Sequence, residues 1–471
     1  MLYSSDYAKG GTQRMKSTIA VVHPYWGFWE SSVPGDLRAN RHKILTDALE
    51  FLSKEFNLSV SGLIATAEEG KALTRECKNV DALVVISSMA VPPATGMSFL
   101  ENLPGIPVVL WALSPGDSLD EHFNHSDIST SGATVGAPML GSALSRLNRP
   151  FDLVVSSLQT PAGITTAVRR ACAAGRVRQA RMVRIGEKMP GYTSVDVSNE
   201  VLKSFGPTMI DIAPEELVTR SQNVENTEIA QTQIQIESEF NGVDSVDPIA
   251  MNRVIRAEIA LREILKDNNA NVGTINCHVR QLRPSADFGV APCFALGRLT
   301  SAGIPWTCTG DVLTSLAMLA VKSLGHPTLY HEIEALDHEN NEAILANTGE
   351  HDLGFCGTTK PELVTDVWYE HDPIKSPSTN FSIPAGPASL VGFVYAPEPR
   401  FVVAEGVFTG RRSPATGTPN AGFRFNSGPV RQAWERWARA GVIHHSAATN
   451  AHVADDIEVI ARHLGASYFK V

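Results

Sequence analysis

Short apolar, β-branched runs alternating with helical stretches constrain this chain more than any other feature. STIAVVHPY, LSVSGLIAT, DALVVISS and PVVLWAL read as strands. Between the first two, NRHKILTDALEFLSKEF places Ile44, Leu45, Ala48, Leu49 and Leu52 at helical spacing, and AEEGKALTREC gives a second helix before DALVVISS. Apolar strands of this length suit a parallel sheet buried on both faces. The pattern breaks at LNRP near Asn148, so residues 1–150 are read as an N-terminal α/β domain. The residues before 16, ahead of the first convincing strand, are read as a disordered extension.

A second α/β unit, residues 151–324, opens with FDLVVSS and continues through GITTAVRRACAAG, ARMVRIG, TMIDIA and NVGTINCHV. From about His326 the texture changes. Pro and Gly rise, SLVGFVYA and RFVVAEGVFTG are strand-like, and the helices VRQAWERWARAG and ADDIEVIARHLG follow. The expected fold is therefore α/β, with two Rossmann-like parallel-sheet domains followed by a β-rich C-terminal domain over residues 325–471. A length of 471 residues, at roughly 150 per domain, agrees with three.

Composition narrows the function classes. Forty Lys and Arg against fifty Asp and Glu leave a net charge of -10, which offers no basic face for nucleic acid. No apolar run approaches the roughly 20 residues that span a bilayer. The start, MLYSSDYAKGGTQRMKS, has no apolar core of a signal peptide, and the six cysteines have no disulfide or zinc-motif spacing, so a reducing cytoplasm is expected. After the first strand stands HPYWGFWE rather than GxGxxG, which argues against a dinucleotide site.

Acids and histidines gather in the last third: Asp311, His331, Glu332, Glu334, His351 and Asp352, then His444 and His445. Two carboxylates and a histidine from separated segments suit a divalent cation, although no spacing matches HExxH and a solvated face is the plainer reading. Trp26, Phe28 and Trp29 are either a sugar-stacking platform or core. Arg411 and Arg412 either meet an anionic group on a ligand or form a solvated turn. Cys308 lacks a clear base partner and is read as a buried thiol.

Taken together, the segments resemble the L-fucose isomerase and L-arabinose isomerase superfamily over nearly the whole chain. RIGEKMPGYTSVDVSNEVLKSFG is similar to a strand-loop-helix segment of the second domain, GIPWTCTGDVLTSLAML to the first acidic motif and LYHEIEALD to the second. ANTG is similar to the Asn-Ser-Gly segment of fucose isomerases, and AGVIHH with VADDIEVIARHLG to the terminal histidine motif. The resemblance implies that Glu332 binds a metal and transfers a proton, and that His445 is a metal-binding histidine. His351 lies near the place of a further histidine ligand, although the ANTG match puts Asn347 there instead. The first acidic motif departs from its pattern: Thr309 stands where the family has glutamate, while Asp311 is retained.

The expected activity is then a metal-dependent aldose-ketose isomerisation through an enediol, with Glu332 and Asp311 as catalytic groups. Glu332, His445, Asp311 and His351 are the expected ligands of a divalent metal, Mn2+ first, with Mg2+ or Co2+ as alternatives. Trp26, Trp29 and Arg411 are expected to touch a small sugar, anionic or neutral. The resemblance also implies a homo-oligomer, a trimer or hexamer, and composition adds the expectation of a cytoplasmic protein with no nucleic-acid or membrane partner. A metal-dependent epimerase or aldolase, or a non-catalytic sugar-binding protein, are the alternatives.

Overall fold

The computed structural model describes residues 16–119, 121–347, 350–357, 359–412 and 418–471. The chain divides into two compact units, one of residues 16–178 with Arg462–Leu464, the other of Gln179–Ala461 with Gly465–Val471. The expected disorder before residue 16, and Thr348 and Gly349 of the ANTG segment, lie outside the described residues.

The first unit is a five-stranded parallel sheet of Thr18–Pro24 (β1), Asn57–Ile64 (β2), Ala82–Ser87 (β3), Val108–Ser114 (β4) and Phe151–Ser157 (β5), in the order β2-β1-β3-β4-β5. β3 is buried along its whole length, as a central strand covered by helices on both faces must be. Helix Leu37–Ser53 turns Leu45, Ala48 and Leu52 inward, with Asp36 accepting from the Ala39 amide as its N-cap.

Phe151–Ser157, placed by the sequence pattern at the head of a second domain, instead completes this sheet beside β4. LNRP is a turn rather than a linker. Asn148 adopts φ 51°, and the Arg149 guanidinium donates to the carbonyls of Leu103 and Ile106 at 2.8 and 3.0 Å, which pins the returning chain to the sheet. The unit ends only after helix Ile164–Arg178.

The second unit begins with another parallel sheet, made of Arg181–Ile185 (β6), Thr208–Ile212 (β7), Val272–Ile275 (β8) and Trp306–Thr307 (β9) in the order β7-β6-β8-β9. Helix Pro248–Asp267 buries Val254, Leu261, Ile264 and Leu265 in its core. The rest is β-rich: Leu329–Asp337 (β10), Glu342–Ala346 (β11), Glu362–Thr365 (β12), Pro377–Asn380 (β13), Gly386–Tyr395 (β14), Pro399–Phe408 (β15), Asn420–Phe425 (β16), His445–Thr449 (β17) and Ser467–Lys470 (β18). β14-β17-β10-β11-β16-β15 run antiparallel, and β15 also pairs with β14, which closes the six into a barrel around Leu390, Val402, Phe408 and Phe423. Helix Val312–Ser323, buried over nearly all its length, packs on β8, β14 and β17, so parallel sheet and barrel share one compact unit. No described helix is long and apolar enough to cross a membrane.

One close approach in the first unit gives a direct test. A Cβ at Gly175, in the helix over β3, would lie 1.9 Å from the Asp81 carbonyl oxygen. Gly175→Ala removes a poor helix former and on a free helix would gain about 1 kcal/mol. Here it should cost about 1–3 kcal/mol, because the backbone it meets cannot rotate away. A melting temperature equal to or above the parent's would show that the helix can lift off the sheet without loss.

Candidate metal centre

The carboxyl ends of β6, β8 and β9 point to one edge of the second parallel sheet, where open α/β sheets place their ligands. Beyond β9 the chain enters Cys308-Thr309-Gly310-Asp311 with Thr309 at φ 57° and Gly310 at φ 76°. A side chain at Gly310 would lie 2.6 Å from the Lys188 Cα, so the turn needs glycine for space as well as for φ. The Thr309 carbonyl accepts from the Met189 amide at 2.9 Å, and its hydroxyl donates to the Cys308 carbonyl at 2.8 Å.

That turn delivers Asp311 to the N-terminus of helix Val312–Ser323. Asp311 is fully buried, and its Oδ1 accepts from the Thr314 amide at 2.9 Å as the helix N-cap. Its Oδ2 accepts from Nδ1 of His445 at 2.8 Å. Sequence alone suggests an Asp311 that projects from a strand end into the metal site. In the structure both of its oxygens are engaged on the helix cap and on the far side of the His445 ring.

Glu332 and His445 meet because β10 and β17 are antiparallel neighbours with those two residues directly opposed. Side chains alternate along a strand, so Tyr330 shares their face while His331 points the other way, its Nε2 3.3 Å from the Ser446 hydroxyl. Nε2 of His445 donates to Oε1 of Glu332 at 2.9 Å, and Nδ1 also lies 2.6 Å from the Tyr330 hydroxyl. His444, exposed, lies tilted against His445 with ring centroids 3.8 Å apart and meets Tyr192 edge-on at 4.8 Å.

The electrostatics follow from this packing. Burial alone would push His445 down, but the hydrogen bonds and charges of Asp311 and Glu332 raise it to about 9, so the metal-free ring is an imidazolium at neutral pH. Burial opposes charge on Glu332, yet the hydrogen bond and charge of His445 hold its carboxyl below the usual range. Burial and the neighbouring His445 lower His444, which keeps that ring neutral. Burial raises Tyr330 well above its ordinary value.

Glu332, His444 and His445 each offer a donor atom, all within 4.8 Å of one another. Two imidazoles and one carboxylate suit Mn2+, Co2+ or another transition ion better than Mg2+, which asks for oxygens. A buried carboxylate on the second nitrogen is the usual orienting partner of a ligating histidine, and Asp311 supplies it to His445. The donor set therefore fits a divalent metal held by Glu332, His444 and His445, with Asp311 behind it.

His351 and Arg411 lie apart from this donor group. His351 is buried against Phe381, bridged to Leu329 and lowered to about 4 by burial, and it joins neither group of clustered donors among the described residues. Arg411 pairs with Asp337 at 2.6 Å and Glu342 at 3.5 Å. Asp337 is five residues along β10 from Glu332, roughly 16 Å at strand rise. Trp26 and Trp29 belong to the first unit, where Trp26 stacks on an exposed Phe28 at 4.5 Å, Trp29 meets that ring edge-on at 5.2 Å, and Trp29 donates to the Ala90 carbonyl. His444 and Tyr330 were missed as site residues. The alternation of LYHE already placed Tyr330 on the face of Glu332; nothing in the sequence separated His444 from His445.

No protein-family model matches the chain, and no curated protein matches it. Among solved structures it is similar to an ABC transporter solute-binding protein from Burkholderia multivorans, in which an unknown ligand was drawn as alpha-D-erythrofuranose. The identity is 14%, with 57% of this chain and 82% of that chain covered, at a TM-score of 0.15. A likeness of that depth carries no argument about fold or activity.

The protonation of His445 sets a pH dependence. A histidine raised from about 6.5 unfolded to about 9 folded stabilises the metal-free protein fully below about 6.5, and that contribution is lost as pH rises through 9. A metal must displace the proton on Nε2, so its affinity should run the opposite way. From pH 7 to 9 the apparent Mn2+ affinity of the chelator-treated protein should rise by up to about tenfold per unit. Titration at pH 7, 8 and 9 checks this; a flat profile would remove His445 from the ligand set.

Proposed function

We propose that this chain is a metal-dependent aldose-ketose isomerase of the fucose isomerase and arabinose isomerase type, working on a small sugar through an enediol. The observation that carries the reading is the donor group of Glu332, His444 and His445 within 4.8 Å, backed by Asp311 at the carboxyl edge of a parallel sheet. When bound, the metal, Mn2+ first, would hold adjacent sugar oxygens and act as a Lewis acid. Glu332 is a third exposed at its side chain and held anionic, so one carboxylate oxygen can take the proton from C2 of a sugar lying over it. Glu332, protonated from C2, can return that proton at C1 from the same face, while the hydroxyl proton passes from O2 to O1 through solvent and neutral His444 would help hold the metal. The proton-handling role that the sequence offered to Asp311 then falls to Glu332 alone.

Asp311 has a different task in this scheme. It fixes the His445 ring through Nδ1 so that Nε2 faces Glu332 and the metal. Thr309 contributes no carboxylate, and its hydroxyl is spent on the Cys308 carbonyl. The reading includes a cytoplasmic homo-oligomer, a trimer or hexamer, for which the aromatic group of Trp26, Phe28 and Trp29 is the natural surface.

Incubation of the Mn2+-loaded protein with a panel of aldoses in D2O should yield ketose carrying deuterium at C1 and, by reversal, recovered aldose carrying deuterium at C2. Glu332→Gln should lower turnover at least about 100-fold. Asp311→Asn should also lose at least about 100-fold, since an amide turned toward Nδ1 favours the wrong tautomer, as happens when the aspartate of a catalytic triad becomes asparagine. Inversion at one carbon without ketose would indicate an epimerase, and cleavage to shorter fragments an aldolase. Tight sugar binding with no exchange into any aldose would leave a binding protein and end the isomerase reading.

A further inference from the structure

A second group of donor side chains stands at the same sheet edge and has no part in the scheme above. Cys277 and His278 follow β8, and Cys308 follows β9; the two strands are hydrogen-bonded neighbours through Gly273 with Trp306 and Thr274 with Thr307. The register carries the two thiols to one spot, with Sγ of Cys277 3.8 Å from Sγ of Cys308. Each sulfur and a ring nitrogen of His278 lie within 4.8 Å of one another. Both thiols are buried, and His278 is half-buried.

Distance and chemistry agree on a class of ligand. Two thiolates bound at about 2.3 Å to one tetrahedral ion stand about 3.8 Å apart, whereas a disulfide would draw the sulfurs to about 2.05 Å. Two thiolates and an imidazole are soft to borderline donors, suited to zinc and unsuited to Mg2+ or Ca2+. His278 is already neutral, because burial and the Arg283 guanidinium lower it. Arg283 is fixed by both oxygens of Asp372 at 2.9 Å and lies over the Tyr369 ring at 4.6 Å, with its Nη2 donating to Nδ1 of His278 at 3.2 Å. The charges of two thiolates cancel those of a divalent ion, so the occupied site is neutral beside that guanidinium.

We propose that Cys277, Cys308 and His278 form a second metal site, selective for a borderline-soft divalent ion of the zinc class and separate from the Glu332 centre. On binding, Arg283 gives up its hydrogen bond to Nδ1 of His278, which frees one ring nitrogen to ligate while the other keeps the proton; the two thiols lose their protons to solvent, two metal-sulfur bonds and one metal-nitrogen bond form, and nothing is oxidised. Three protein ligands leave a fourth coordination position for water. The site also ties the carboxyl end of β8 to Cys308, whose carbonyl anchors the Thr309 hydroxyl at the head of the turn that delivers Asp311.

Cobalt is the probe. Co2+ added to the reduced, chelator-treated full chain should give a near-ultraviolet thiolate-to-cobalt absorption at about one equivalent per chain, and Zn2+ should abolish it. Cys277→Ser and Cys308→Ser should each remove the band, while Glu332→Gln should leave it unchanged. X-ray absorption of the zinc-loaded parent protein needs no variant and should show sulfur scatterers at about 2.3 Å. No band from the reduced parent, a shell of nitrogen and oxygen alone, or a band that survives both serine changes would each overturn the proposal. So would loss of the band in Glu332→Gln with retention in the serine variants, which would assign all metal binding to the Glu332 centre. A parent protein purified in air with Cys277 and Cys308 disulfide-bonded, and without metal binding after reduction, would make the pair a redox couple instead.

Discussion

His445 is held from both sides of its ring by carboxylates that arrive from different architectures. Asp311 comes from the N-terminus of a helix fed by the second parallel sheet, and Glu332 from the neighbouring strand of the barrel. Each is opposite in charge to the imidazolium, and the ring is 3% exposed at its side chain, so solvent screens the pair on the Asp311 side very little. The arrangement is costly to assemble and strongly directional once assembled. A ring fixed at both nitrogens cannot turn, which gives the neighbouring His444 and Glu332 a rigid partner.

Much of the surrounding structure serves that placement. The left-handed turn at Thr309 and Gly310 exists because Asp311 has to leave β9 and cap a helix within four residues, and the Lys188 backbone presses close enough to require glycine. Non-glycine residues in that conformation cost about 1–3 kcal/mol and gather where function over-determines them. Closure of the barrel through β14 and β15 fixes β17 between β14 and β10, and with it the register that opposes Glu332 to His445. The helix capped by Asp311 packs against β17 itself, so the two halves of the clamp are braced by one buried element.

The same sheet edge gathers two kinds of metal donor within a few residues. Cys308 and Asp311 are three residues apart, yet the thiol turns toward Cys277 and the carboxylate toward His445. The separation is chemical as well as spatial: thiols and a neutral imidazole on one side, a carboxylate and two imidazoles on the other. Donor differences of that kind would bias the two groups toward different ions.

The sequence by itself determined the alternation of buried strands and helices and the change to a β-rich texture near His326; Glu332 and His445 are named together only through the family resemblance. Apolar periodicity records burial directly, and burial is local information. It did not determine where FDLVVSS belongs, because an edge strand reads like the first strand of a new sheet and only the Arg149 anchor shows the chain turning back. Nor did it separate the roles of Asp311 and His444, or bring Cys277 to Cys308. Those depend on which nitrogen of a ring faces which neighbour, and on two strands thirty residues apart lying in register. Long-range pairing fixes such facts; no pattern within a segment carries them.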